Sequence, residues 1–85
     1  MIHVYLMPGM SANSLIFERI KFPNNYTPHL LDWIDPVKSE SIKEYAIRFS
    51  KLIKHKNPVL IGVSFGGILV QEISKFIKVK KLIII

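Results

Sequence analysis

The chain has 85 residues, 49% of them apolar and 21% charged, a balance that excludes a disordered segment and fits one small domain with a modest core. It has no cysteine, so neither a disulfide framework nor a thiolate metal site is possible. The net charge of +6 does not by itself imply nucleic acid, because the lysines collect near predicted helix ends and no aromatic residues interleave with them as a stacking platform would require.

The first residues, Met1 to Pro8, lack the basic-then-apolar pattern of a secretory signal, and no apolar run approaches the length of a membrane span. A cytoplasmic protein that engages no membrane is therefore expected. Residues 2–7 are apolar nearly throughout, which predicts a parallel strand covered on both faces. Pro8, Gly9 and Asn13 mark a turn-forming cluster after it. Residues 14–20 can form one or two turns of helix capped by Asn13 or Ser14, and residues 22–28 read as loop.

Residues 29–34 make a second candidate strand, broken by Asp35-Pro36. Ser41 and Glu44 then have the spacing of a capping box. Ile42, Tyr45, Ala46, Phe49, Leu52 and Ile53 follow on one helical face, which predicts a helix to about His55, stopped by Asn57-Pro58.

Residues 59–63 are a short β-branched run leading into Gly62-Val63-Ser64-Phe65-Gly66-Gly67, and the spacing after Ser64 is helical to about Ile77. A G-x-S-x-G motif between a strand and a helix predicts a nucleophile elbow. Such a turn holds its serine at positive φ and lifts the hydroxyl clear of the strand end. Side chains two positions either side of it would meet neighbouring backbone, so Gly62 and Gly66 are expected to be required there. Lys80-Lys81-Leu82-Ile83-Ile84-Ile85 reads as a fourth strand. The alternation of strands and helices predicts an α/β fold: a three-layer parallel sheet of about four strands with flanking helices.

On the elbow and on Met7-Pro8-Gly9-Met10, the chain resembles the N-terminal half of a small esterase-like member of the α/β-hydrolase superfamily. The resemblance implies one partial domain over residues 1–85, an incomplete α/β-hydrolase fold without the later strands that carry the family's acid and histidine. It implies Ser64 as nucleophile, with the backbone N–H groups of Met10 and Phe65 binding the oxyanion and Gly9, Gly62, Gly66 and Gly67 shaping the loops. It also implies a small acyl substrate, of ester or thioester type, and no cofactor or metal.

The chain's own histidines do not complete a triad. His3 and His29 are expected to open their strands and His55 to precede the elbow strand, so all three belong near the amino edge of the sheet, roughly 17–20 Å from Ser64. Each is expected as a surface or half-buried polar residue. Asp35 belongs to a turn, Asp32 to a pocket rim or loop tether, and Trp33 to the core or the pocket wall. The apolar run of Leu82, Ile83, Ile84 and Ile85 would be a bare edge strand, open to association with another chain, and suggests a fragment. A non-catalytic hydrolase remnant acting as an interaction module is the alternative, and an acyltransferase is a third reading.

Overall fold

The computed structural model describes residues 1–10 and 12–85. Its frame is a four-stranded, wholly parallel sheet in the order β2-β1-β3-β4, made by β1 (Ile2–Met7), β2 (Tyr26–Leu30), β3 (Val59–Gly62) and β4 (Lys81–Ile84). The strands are connected through the helices α1 (Ile42–Ser50) and α2 (Phe65–Ile73) and a 3-10 turn (Ser14–Phe17). The α/β parallel-sheet architecture expected from the alternation of elements is therefore present, with the elbow strand β3 beside β1.

Side chains alternate across β1, which is buried on both faces. Tyr5 and Met7 join Phe49 of α1 and Leu69, Val70 and Ile73 of α2 in the main core. Val4 and Leu6 point the other way, against Phe17, with Phe22 and Ile61 packed alongside. Both helices thus cover one face. The other layer is thin, built from the 3-10 turn and the irregular chain around Phe22.

The local signals explain the elements. Ser41 Oγ accepts from the Glu44 amide at 3.1 Å while the Glu44 carboxylate accepts from the Ser41 amide at 3.0 Å, the reciprocal capping box read from the spacing. Asn13 caps the 3-10 turn by accepting from the Leu15 amide at 2.9 Å.

The boundaries that differ most from expectation are those of β2, α1 and α2; the 3-10 turn stops at Phe17, β3 at Gly62 and β4 spans Lys81–Ile84. β2 begins at Tyr26 and ends at Leu30, so it takes in Tyr26, Thr27 and Pro28 from the expected loop and leaves residues 31–34 outside. Proline is tolerated because, among the described residues, β2 is an edge strand paired with β1 alone. The α1 helix ends at Ser50 rather than near His55: the Lys51, Leu52 and Ile53 amides donate three residues back, to Arg48, Phe49 and Ser50, which tightens the chain and closes the helix early. The α2 helix ends at Ile73 in the same manner, the Lys75 and Phe76 amides donating to the Glu72 and Ile73 carbonyls.

Candidate active site

The site is built where β1 and β3 end side by side. Gly62 at the end of β3 lies level with Met7 at the end of β1, and the Val63 amide donates to the Met7 carbonyl at 3.0 Å. One residue on, the chain turns. Ser64 has φ 56° and ψ −123°, is exposed, and is the N-cap of α2. A non-glycine residue in that region carries about 1–3 kcal/mol of strain, and such strain clusters at functional sites. Among the described residues the Ser64 side chain makes no capping hydrogen bond to α2, and the residue is exposed at the strand end.

The neighbouring glycines make this turn possible. A Cβ on Gly62 would stand 2.6 Å from the Gly67 Cα, and one on Gly66 would stand 2.6 Å from the Met7 carbonyl oxygen, with the Pro8 carbonyl nearer still. No side chain fits at such contacts, because backbone rather than a flexible tip is in the way. A Cβ on Gly67 would meet the Ile84 side chain at 2.7 Å, so this position allows α2 to pack on β4.

The loop after β1 lies across from the serine. A Cβ on Gly9 would be 3.7 Å from the Ser64 Cβ, ordinary van der Waals contact, so Gly9 is not sterically required as Gly62 and Gly66 are. Trp33 fixes this loop, its indole Nε1–H shared between the Pro8 carbonyl at 3.1 Å and the Gly9 carbonyl at 3.0 Å. Its ring stacks on Phe65, with centroids 5.6 Å apart and planes 12° from parallel. One side chain therefore holds the residue after Ser64 and the loop carrying Met10. Sequence reasoning placed Trp33 in the wall or the core and missed this bridge, for which no local spacing gives a signal.

Two open clefts meet at Met10 and Trp33. One, of about 450 Å³, is bounded further by Asn13, Leu15 and Asp32. The other, of about 420 Å³, has an apolar wall of Ile42, Tyr45 and Phe65. Its far rim is tied down by hydrogen bonds: the Tyr45 hydroxyl donates to the Ile34 carbonyl at 2.7 Å and accepts from the Ile34 amide at 3.0 Å. Arg48 clasps Glu40 through two contacts of 2.8 and 2.9 Å and also donates to the Asp35 carbonyl. The guanidinium's hydrogen bonds hold the Glu40 carboxyl down at about 2, and burial raises the Tyr45 phenol.

The histidines lie elsewhere. His29 is level with Tyr5 and is the fourth of the five residues of β2, not at the strand's opening as expected. It stands four residue levels short of Ser64, about 13 Å along the strand, and His3 stands six levels short, about 20 Å. His55 is hydrogen-bonded to the Tyr5 hydroxyl and stacked on His3. None of the three reaches the serine. All three are half-buried, as expected, but they are gathered together, which was not.

No family model, curated protein or solved structure matches this chain. Among the described residues no helix is long and apolar enough to cross a membrane.

Proposed function

We propose that the chain carries the nucleophile half of a serine hydrolase of the α/β-hydrolase type, acting on ester- or thioester-like acyl bonds in the cytoplasm. The observation that carries this reading is the backbone of Ser64, an exposed serine at φ 56° between a parallel strand and a helix, with steric need for glycine on both sides. In the proposed chemistry the Ser64 hydroxyl oxygen attacks the acyl carbon as a base takes its proton. The Phe65 and Met10 amides stabilise the oxyanion, and collapse expels the alcohol or thiol, leaving an acyl-serine for water to hydrolyse. The apolar cleft of Ile42, Tyr45 and Phe65 suits the acyl group. The base is none of the three histidines, so these 85 residues alone are expected to show negligible turnover.

The test is labelling by a fluorophosphonate of the protein as its native source produces it, with the adduct mapped by mass spectrometry. Modification of Ser64 supports the reading. Its absence, while other serine hydrolases in the same extract are labelled, favours the second reading, a non-catalytic remnant that binds other chains. That alternative draws on one observation: β4 is an edge strand whose last residue, Ile84, is 47% exposed and is followed by Ile85 at 72%.

A further inference from the structure

Three histidines from three separate segments converge on the helix-bearing face of the sheet, at the end away from Ser64. His3 shares a face of β1 with Tyr5, and His29 lies opposite Tyr5 on β2. His55 joins them because α1 closes at Ser50 and the chain returns towards the sheet before β3. His3 Nδ1 is 2.8 Å from His29 Nε2, the His3 and His55 rings stack with centroids 3.4 Å apart, and one ring nitrogen from each of the three lies within 4.8 Å of the other two.

We propose that His3, His29 and His55 form a three-histidine binding site for a borderline divalent cation such as Zn²⁺, with Tyr5 orienting His55. The donor chemistry sets the class of metal. Neutral imidazole nitrogens suit zinc and its first-row neighbours, whereas Mg²⁺ and Ca²⁺ require oxygen ligands, and among the described residues no carboxylate belongs to this cluster. Three histidines leave a fourth, tetrahedral position for water.

Tyr5 supplies the supporting contact such sites use. Its buried hydroxyl oxygen is 2.7 Å from His55 Nδ1 and accepts from the Lys54 amide at 3.2 Å. In the tautomer whose Nδ1–H donates to that oxygen, the lone pair of His55 sits on Nε2, and the metal would select that tautomer. Binding moves the proton shared by His3 Nδ1 and His29 Nε2 to the outer nitrogen of its ring, opens that contact from 2.8 Å to the edge of about 3.3 Å that Zn–N bonds of 2.0–2.1 Å dictate, and turns the stacked rings so that their lone pairs converge. A bound ion would tie β1, β2 and the segment before β3 together. The site is independent of any reaction at Ser64.

The experiment titrates Zn²⁺, then Co²⁺, into the chelator-treated protein, following thermal stability and the visible absorption of cobalt. Zn²⁺ is expected to raise Tm by at least ~5 °C, Co²⁺ to give the bands of a tetrahedral site, and Mg²⁺ to do neither. His29→Ala and His55→Ala, each checked for folding by circular dichroism, are expected to abolish binding, and Tyr5→Phe to weaken it ~10-fold or more. Absence of both the zinc shift and the cobalt bands in the unsubstituted protein would overturn the proposal. So would binding that survives in the folded His29→Ala and His55→Ala proteins, because the metal would then sit elsewhere, for instance on His3 and the terminal amine.

Discussion

The indole nitrogen of Trp33 stands 3.0 Å from the carbonyl oxygen of Gly9, joining the segment after β2 to the loop after β1 across 24 residues of sequence. The same N–H reaches Pro8, and the ring above it stacks on Phe65. The geometry around Ser64 therefore depends on a residue from a different strand's exit.

Trp33→Phe keeps an aromatic ring over Phe65 but removes the donor shared by two loop carbonyls. Loss of such a bond is expected to lower stability by about 1–3 kcal/mol, read as a reduced urea midpoint. An unchanged midpoint would mean the loop is held without the indole N–H.

Ser64 should be a residue at which strain can be exchanged for stability. Ser64→Gly removes the Cβ that makes φ 56° unfavourable and is expected to stabilise the fold by about 1 kcal/mol. Ser64→Ala keeps the Cβ and should give no such gain. Chemical denaturation of the two variants side by side separates backbone strain from loss of the hydroxyl.

Gly66→Ala places a methyl group against the Met7 and Pro8 carbonyls, where only backbone can move. Destabilisation of roughly 3 kcal/mol or more is expected, visible as a collapsed thermal transition. Gly9→Ala, whose added carbon meets only ordinary contacts, should be tolerated, with a transition close to the parent's.

Acid should weaken the fold in two stages. His3 and His29 are held below the ordinary 6.5, first by burial and then by the charge of His55, with the terminal amine also acting on His3 and His3 also acting on His29. A depressed histidine stabilises the fold in its neutral form, so that contribution is present above pH 6.5 and lost as the pH falls through and below it. Glu40, ordinarily at 4.5, is held at about 2 by the Arg48 hydrogen bonds and then the Val37 amide. Its contribution is present above pH 4.5 and disappears as the pH falls towards 2. Tm measured against pH in metal-free buffer should show both declines, and Glu40→Gln should flatten only the lower one.

The sequence by itself determined the features that depend on near neighbours. The strand–helix alternation, the Ser41–Glu44 capping box and the steric need for Gly62 and Gly66 around Ser64 are legible because each rests on residues within a few positions, where φ, ψ and hydrogen-bond reach are nearly fixed by spacing. Tertiary structure alone decided the rest. Pro28 entered a strand because β2 lies at the sheet's edge, which no local pattern reveals. Trp33 found the Gly9 carbonyl, and His3, His29 and His55 found one another, only through the parallel register of β1 with β2 and the early closure of α1. Register fixes which side chains share a face, and it is set by packing between segments far apart in sequence.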